Sequence, residues 1–352
     1  MSSDDVSQRI VELSSLGDVE AIKSLIETES TASVNSADKD GMTALMHAAF
    51  KGRLEMCRYL LENGAEVNET FHVHEYTPLM FAVLSGSVEV TRLLLEFGAS
   101  PRKKNDIGKT ACQLAGFVGY QKCVTVICNF IPQSKLEQFT VIQGLDKEPK
   151  LPSHLLSAAH KFVTTINLNP VYLSLLLNEN TELLAKHASV VYILEKLMEL
   201  NVKELNEPLC FKMHYLTHVV QQASTHKGGP LGWIKWLLKG RESDGALLNL
   251  EDFVRTSIRD FRYRDSQLLS SLVKGISKVK LGDPPSALFC LEQAVNSSRE
   301  VEPVDKCATC GVSESNLKRC SACKEVFYCS VRCQKLHWFS HKKQCKHKEK
   351  SK

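Results

Sequence analysis

The sequence lacks the patterns of a secreted or membrane-spanning protein. No apolar core follows a basic start at the N terminus, so we expect no signal peptide. No uninterrupted apolar run approaches the roughly 18 residues that a bilayer-spanning helix needs. We therefore expect a cytoplasmic protein without a transmembrane segment. That compartment is reducing, and disulfide bonds are rare there.

The patterns of common enzyme sites are also missing. No phosphate-binding G-x-x-x-x-G-K-[ST] loop is present. His214 and His218 are four residues apart, but no glutamate lies between them as it does in a zinc protease helix. The remaining histidines of the middle third show no partner spacing. We therefore expect no enzyme activity and no catalytic residues.

Cysteine is abundant, and seven of the thirteen cysteines fall in the last fifty residues together with a suitably placed histidine. Cys and His side chains complete tetrahedral zinc sites, and eight ligands make two closed sites with no position for a reacting water. The spacing therefore predicts two structural zinc ions. It allows the sites to be sequential or interleaved, and His337 is a rival to His341. The pattern C-x2-C-x9-C-x2-C-x5-C-x3-C-x7-H-x3-C consists of Cys307, Cys310, Cys320, Cys323, Cys329, Cys333, His341 and Cys345.

The other six cysteines are scattered through apolar, helix-like stretches, which is typical of small core residues. They are Cys57, Cys112, Cys123, Cys128, Cys210 and Cys290. The formal net charge is +4, and seven thiolates binding two Zn²⁺ would reduce it to about +1. Bulk charge therefore gives no reason to expect a nucleic-acid partner.

The N-terminal third repeats with a period of 33 to 35 residues, and glycine recurs in one column at positions 17, 52, 86 and 119. Thr43-Ala44-Leu45 and Thr77-Pro78-Leu79 open successive repeats. These features resemble ankyrin repeats, about four of them over residues 5–132. The resemblance implies a helical solenoid that binds partners at its hairpin tips and on the concave face.

One inter-repeat loop, Thr70 to Glu75, is a residue longer than the others and contains aromatic side chains. A metal site made by His72, His74 and Glu75 is a weaker alternative to a solvated loop on the binding rim. Core packing is an equal alternative for Phe81. The candidates for partner contact are His47, which we expect to face outward, Phe71, His72, His74, Tyr76 and Phe81.

The middle third begins with a predicted linker at residues 133–152, in which charged residues and two prolines are mixed. From residue 153 to 303, apolar residues recur at three- and four-residue steps. This periodicity predicts six to eight helices in one bundle. Trp233 and Trp236 are three residues apart, which favours an apolar core face over a docking face.

The C-terminal cysteine pattern resembles the MYND-type zinc finger, since Tyr328 precedes Cys329 and Gln334, Trp338 and His341 follow in the expected frame. In that family the two sites interleave. The resemblance implies a first site made by Cys307, Cys310, Cys329 and Cys333, and a second made by Cys320, Cys323, His341 and Cys345. It also implies that Ser321, Gln334 and Trp338 line a groove for proline-containing peptides. We expect residues 346–352 to be a basic, solvated tail.

The whole chain is similar to the family of ankyrin-repeat and MYND-domain-containing proteins, and segments such as Leu237-Leu238-Lys239-Gly240-Arg241 resemble one member closely. The fold implied is mostly α: a solenoid, a helical middle domain and a small two-zinc finger at 307–345. The resemblance implies a trafficking adaptor that delivers membrane adenylyl and guanylyl cyclases to cilia, with an immunophilin chaperone as partner, in cyclic-nucleotide and Hedgehog signalling.

Two other functions remain open. The first is a nuclear corepressor-like adaptor whose finger binds proline-containing peptides. The second, less favoured, is a SET-type lysine methyltransferase, because MYND fingers accompany such domains. Its Asn-His-Ser/Cys cofactor motif is absent from the sequence, and the unassigned middle block is helical in pattern where a SET domain is rich in strands.

Overall fold

The protein forms two compact units, Met1–Pro132 and Gln133–Lys352. The computed structural model describes residues 3–28, 33–144, 147–204, 206–241, 243, 245–297, 305–313 and 316–349. The described chain is mostly helical, as predicted, with one two-stranded sheet. The division of the second unit into a helical domain and a finger domain remains a prediction.

The first unit consists of four antiparallel helix pairs. First helices pack against first helices and second helices against second helices along the series, which is the stacking of ankyrin repeats. The predicted solenoid is therefore confirmed. The pairs are α1 (Ser3–Leu16) and α2 (Val19–Thr28), α3 (Ala44–Phe50) and α4 (Leu54–Glu62), α5 (Pro78–Ser85) and α6 (Val88–Glu96), and α7 (Ala111–Val118) and α8 (Gln121–Asn129).

Threonine and glycine define the ends of these short helices. The hydroxyls of Thr43, Thr77 and Thr110 each accept a hydrogen bond from the backbone N–H three residues later. Such caps satisfy donors that the first turn leaves unpaired. Gly98 follows α6 with φ of +89°, a left-handed conformation that glycine adopts at little cost.

The second unit contains nine α-helices between residues 153 and 297, as far as that segment is described, whereas six to eight were predicted. The difference arises from short elements such as α12, which has five residues, too few for a periodic pattern. The helices are α10 (Leu156–Thr164), α11 (Pro170–Glu179), α12 (Thr181–Ala185), α13 (His187–Lys203), α14 (Glu207–Thr225), α15 (Gly229–Leu237), α16 (Leu248–Arg259), α17 (Gln267–Ile276) and α18 (Ala287–Asn296), and α9 (Ser134–Glu137) precedes them.

Helix α14 lies at the centre of this bundle and packs most extensively against α13. Trp233 on α15 is fully buried, as the predicted core face requires, but Trp236 is 40% exposed. His214 is buried, and its Nε2–H donates to the Ser257 carbonyl at 2.9 Å. Packing therefore accounts for His214 and Trp233, but not for the exposed ring of Trp236.

The segment 133–152, the predicted linker, contains short helical turns and buried side chains. Its α9 helix is followed by a 3₁₀ turn, Gln138–Thr140, and Leu136, Phe139 and Leu151 are buried. The Leu151 N–H donates to the Phe139 carbonyl at 2.9 Å. The apolar side chains therefore hold most of the segment against the second unit, and residues 145 and 146 lie outside the described part.

The finger contains strands β1 (Lys318–Arg319) and β2 (Phe327–Tyr328), which pair antiparallel, and helix α19 (Val331–Glu349). Helix α19 therefore extends into the predicted basic tail, 346–352, as far as Glu349. Residues 350–352 lie outside the described residues. No helix in the described part of the chain combines the length and apolar character needed to cross a membrane.

Candidate metal centres and partner-binding surfaces

Two groups of four ligands converge in the finger. In each group the ligand atoms all lie within 4.8 Å of one another. The first group, cluster 1, is Cys307, Cys310, Cys329 and Cys333, and the second, cluster 2, is Cys320, Cys323, His341 and Cys345. The interleaved arrangement is therefore confirmed, and sequential sites are excluded.

The sulfur spacing in cluster 1 fits a tetrahedral zinc ion. Cys310 Sγ lies 3.5 Å from Cys329 Sγ and 3.7 Å from Cys333 Sγ, and the Cys329–Cys333 separation is 3.5 Å. A tetrahedron with Zn–S bonds of about 2.3 Å has edges of about 3.8 Å. Four thiolates at this spacing would repel one another without a cation. The donor set and the distances thus fit zinc.

Cluster 2 selects His341 and leaves out His337. His341 Nε2 lies 3.5 Å from Cys323 Sγ, and the imidazole is 3% exposed. His337 instead lies 3.2 Å through Nδ1 from the Tyr328 hydroxyl and stacks on His341. Burial lowers the pKa of His337 to about 4, so this imidazole is neutral at pH 7. Its role is to pack beside the ligand.

Backbone pairing explains why the sites interleave. The Ala308 N–H donates to the Phe327 carbonyl at 2.9 Å, and residue 307 forms a parallel bridge with residue 327. The first cysteine turn therefore runs alongside β2, which leads directly to Cys329. The Cys320 N–H pairs with the Val326 carbonyl at 2.8 Å, which orients the second turn toward the C-terminal half of α19.

The cysteines outside the finger are buried or half-buried, as predicted for core residues. Burial raises the pKa of the Cys57 thiol to about 12, and that of Cys210 to about 12. These thiols are protonated at pH 7 and unreactive. The two cysteine populations therefore differ in environment: groups of four ligands in the finger, and single residues or the Cys112–Cys128 pair, with sulfurs 3.6 Å apart, elsewhere.

Cluster 1 lies directly against the helices of the second unit. Asn167 Nδ2 donates to the carbonyl of the ligand residue Cys310 at 3.0 Å, and Arg332 pairs with Glu179 at 2.7 Å. Farther along α19, Ser340 Oγ accepts from the Gly240 N–H at 3.1 Å. A cleft of about 310 Å³ remains between cluster 1 and α10–α11. Spacing along the chain gave no indication of this contact.

The three residues predicted to line a peptide groove are at least partly accessible. Ser321 is exposed, Gln334 is half-buried and Trp338 is 41% exposed. The Trp338 ring centroid is 6.0 Å from that of His341, so the aromatic surface adjoins cluster 2. Peptide binding by these residues stays a prediction.

The partner-contact candidates on the ankyrin unit fall in different environments. Phe71 is 71% exposed, whereas Phe81 is 8% exposed, as its core-packing alternative required. His72 and Tyr76 pack edge-on and tilted against Phe81, with centroids 5.3 and 5.5 Å away. Phe81 is thus the floor of an aromatic group and not a protruding contact.

The histidines near this group are paired with carboxylates. His47 does not face outward: it lies 2.8 Å from Asp38, and its side chain is 21% exposed. His74 Nδ1 lies 2.8 Å from Asp106 of the next repeat. Among the described residues, only clusters 1 and 2 bring three or more metal-type ligands together, so the loop histidines form no metal site.

Sequence reasoning missed Phe50, whose ring lies 6.0 Å from that of Phe81 and is 43% exposed. A signal was present, because Phe50 and Phe117 each lie seven residues after the threonine that opens their repeat. Both residues belong to the first helix of their repeat, and their side chains are partly or largely exposed. Aligning the columns for aromatic residues would have found it.

The fold and the two ligand clusters define an ankyrin-repeat protein with a C-terminal, two-zinc finger. Family profiles agree: "Ankyrin repeats (3 copies)" matches residues 13–71, "Ankyrin repeat" matches 74–106 and "MYND finger" matches 307–345. Both kinds of module are interaction modules. The chain is similar to Dauer abnormal formation protein 25 of Caenorhabditis elegans, 30% identical over 342 residues, which are 93% of this chain and 87% of the relative. The chain therefore belongs to the family of ankyrin-repeat, MYND-finger proteins that includes this relative.

Two further relatives share only single modules. SET domain-containing protein 14 of C. elegans is 40% identical over 63 residues, 18% of this chain and 14% of that protein, and the likeness is confined to the finger region. Palmitoyltransferase akr1 of Schizosaccharomyces pombe is 43% identical over 54 residues, 15% of this chain and 8% of that protein. Neither likeness carries a catalytic domain to this chain.

Proposed function

We propose that this protein is a non-enzymatic adaptor that holds protein partners on two rigid surfaces. The main supporting observation is that both zinc clusters have complete sets of four protein ligands, with no vacant position for a substrate. Accessible aromatic side chains next to these frameworks, Phe71 on the ankyrin unit and Trp338 on the finger, are typical of partner-binding surfaces.

The finer proposal follows the family resemblance. The partners would be membrane adenylyl and guanylyl cyclases and an immunophilin chaperone, and the protein would act in the cytoplasm and at the cilium in cyclic-nucleotide and Hedgehog signalling. Membership of the family with Dauer abnormal formation protein 25 over nearly the whole chain supports one shared architecture. The name of that relative refers to dauer formation and to no partner.

The finger contributes a second surface in this proposal. Trp338 offers an aromatic platform and Gln334 a polar group one helical turn away, an arrangement suited to an extended, proline-containing peptide. Ser321 lies on the neighbouring cysteine turn. Cluster 1 is held against α10 and α11 through Asn167, whereas Trp338 adjoins cluster 2. Ser321 and Trp338 therefore lie beside cluster 2, whereas Gln334 directly follows the cluster 1 ligand Cys333.

A nuclear corepressor-like adaptor is the second candidate, because the same peptide surface would serve it. Localisation separates the two: a uniformly nuclear signal for the tagged intact chain would contradict ciliary trafficking. A SET-type methyltransferase is disfavoured, since the resemblance to SET proteins is limited to the finger and the middle of the chain is helical.

The test is affinity capture with mass spectrometry from ciliated cells, using the intact chain, Trp338→Ala, Phe71→Ala and, as a matched control, Phe339→Ala, which removes another exposed aromatic ring of α19. We expect membrane cyclases and an immunophilin with the intact chain and the control. Loss with Phe71→Ala would place cargo on the ankyrin unit, and loss with Trp338→Ala would place it on the finger. Transcriptional regulators in place of cyclases would favour the nuclear alternative, and no specific partner would contradict the adaptor.

A further inference from the structure

Four rings on the ankyrin unit form one continuous group that we name the aromatic cluster: Phe50, His72, Tyr76 and Phe81. Their centroids lie 5.3 to 6.0 Å apart in contacting pairs, all of which include His72 or Phe81. Phe81 is the buried floor, while Phe50 is 43% exposed and the rings of His72 and Tyr76 are half-buried. The cluster therefore presents part of its ring surface to solvent.

Carboxylates surround this cluster on two hairpin tips. Asp38 and Asp40 belong to the tip before α3, which is held against the loop because the Val73 N–H donates to the Asp40 carbonyl at 3.2 Å. Asp106 belongs to the tip before α7 and lies 2.8 Å from His74 Nδ1. Asp40 and Asp106 are exposed to solvent.

The charge state at pH 7 follows from these neighbours. Burial, and then the nearby His74, lower the pKa of His72, while Asp38, Asp40 and Asp106 act in the opposite direction. The His72 imidazole is therefore neutral at pH 7, and three carboxylates lie near enough to influence it. The cluster combines uncharged rings with three nearby carboxylates and one lysine, Lys51, beside the Phe50 ring.

The loop that carries His72 and Tyr76 is held in an uncommon backbone conformation. Glu75 has φ of +52°, in the left-handed region that residues with a Cβ rarely adopt. Its N–H donates to the His72 carbonyl at 2.8 Å, which closes the turn and aligns the two rings. Strain of this kind is concentrated at functional surfaces, because the surrounding structure must maintain it.

We propose that the aromatic cluster receives an arginine or lysine side chain from an exposed segment of a protein partner. Ring faces attract a cation through their quadrupoles, and the aspartates add direct charge attraction. The chain itself shows the geometry: Lys51 Nζ lies 5.7 Å from the Phe50 centroid. An anionic segment would be repelled, and a wholly apolar one would bury carboxylates without compensation. This inference rests on the proposed adaptor function and names the chemistry of its partner.

The probe is a set of degenerate twelve-residue peptide pools with one fixed central residue, Arg, Lys, Gln, Glu or Leu, and random flanks. Binding of each pool to the intact chain is compared with binding to Phe50→Leu and Asp40→Asn. The matched control is Phe117→Leu, because Phe117 occupies the same repeat column in α7 and is 90% exposed. Phe81 is left unchanged, since its substitution would disturb the core.

We expect the intact chain and the control to bind the Arg and Lys pools more tightly than the Gln pool. Phe50→Leu and Asp40→Asn should each weaken that binding roughly two- to thirty-fold. Equal binding of the Arg, Lys and Gln pools, a preference for Glu or Leu, or an equal loss with Phe117→Leu would each overturn the proposal. If the captured cellular partners are unaffected by Phe50→Leu and the pools show no cation preference, the cluster proposal fails while the adaptor function stands. A cation preference lost with Phe50→Leu supports the cluster, even where no cellular partner is captured.

Discussion

The ankyrin unit and the finger stabilise small folded segments in opposite ways. In the ankyrin unit, each helix pair buries residues such as Leu45, Leu79 and Leu94 against its neighbours, so stability is spread over many contacts. In the finger, the strands are two residues long and eight ligands hold the chain. A single core substitution should therefore lower the stability of the ankyrin unit, whereas loss of a single ligand should unfold the finger.

The finger is nevertheless not an isolated module. Cluster 1 is hydrogen-bonded to Asn167 through Cys310, and Gly311 lies close to Asn169. Loss of this zinc site should therefore also destabilise α10 and α11. Cluster 2 lies beside Trp338. Its helix, α19, is linked to the bundle at Ser340, whose Oγ accepts a hydrogen bond from the Gly240 N–H. The two zinc sites should therefore differ in the consequences of their removal.

The largest effect is expected on removing zinc ligands. Zinc binding contributes about 10–16 kcal/mol in zinc-finger peptides, and that energy is folding energy. We expect two zinc equivalents in the intact chain by elemental analysis, and one or none in Cys310→Ser and Cys320→Ser. By hydrogen exchange, both variants should lose protection in the finger, and Cys310→Ser should also lose it in α10 and α11.

Cys112→Ser is the matched control, because it removes a half-buried cysteine outside the clusters and should leave both zinc ions bound. Identical exchange patterns for the two finger variants would contradict the different roles given to the two sites. Zinc content of one in the intact chain would contradict the ligand assignment itself.

Glycine substitutions should produce the next largest effect, confined to the ankyrin unit. Gly98 has φ of +89° with open space around it, so Gly98→Ala tests backbone conformation alone and should cost roughly 1–2 kcal/mol. Gly41→Ala should cost more, because its Cβ would lie 2.1 Å from the Phe71 carbonyl oxygen. The measurement is urea unfolding followed by circular dichroism.

Gly116→Ala is a control for which the expected change in stability has the opposite sign. Gly116 lies within α7 in an ordinary helical conformation, and a Cβ there would lie 4.0 Å from Val124, an unstrained contact. We expect this change to stabilise the unit by roughly 0.5–1 kcal/mol. Destabilisation by all three substitutions in equal measure would refute the conformational argument.

A smaller effect is expected where the finger meets the helices. Asn167→Ala removes the donor to Cys310 and also the side-chain oxygen that accepts from the Asn169 N–H at 2.9 Å, at a cost of roughly 1–2 kcal/mol. Arg332→Ala removes an exposed ion pair and should cost less than about 1 kcal/mol. Thermal unfolding of the zinc-bound protein distinguishes the two variants. An equal loss of stability in both would mean that the half-buried Asn167–Cys310 hydrogen bond contributes no more than the exposed ion pair.

The smallest effect should be a pH-dependent one at Asp38. Burial raises the pKa of this carboxyl, but hydrogen bonds from His47 and from the N–H groups of Met42 and Asp40 outweigh it and lower the pKa below 3.8. The ionised Asp38 carboxylate therefore stabilises the folded state above pH 3.8, and this stabilisation is lost as the pH falls through the lowered pKa. Asp38→Asn should destabilise the ankyrin unit by less than about 1 kcal/mol at pH 7. The difference from the unchanged chain should shrink on acidification, and a constant difference would contradict the assignment.

Several features were decided by residue type and spacing alone. A repeat of 33 to 35 residues with threonine at helix starts predicts a stack of short helices, because each helix needs its cap and its neighbours, and the resemblance to ankyrin repeats identified the kind of stack. Eight Cys/His ligands in a short segment likewise specify two closed zinc sites, since each structural zinc ion takes four protein ligands. For these features local chemistry is sufficient.

Other features required the tertiary structure. Spacing left sequential and interleaved zinc sites equally possible, and the pairing of Ala308 with Phe327 decided between them. The burial of Phe81, the pairing of His47 with Asp38 and the packing of Phe139 depend on neighbours distant in sequence. The sequence pattern shows which interactions a side chain is chemically able to make. Whether that side chain is buried, and which residue it pairs with, depends on the segments that the folded chain brings together.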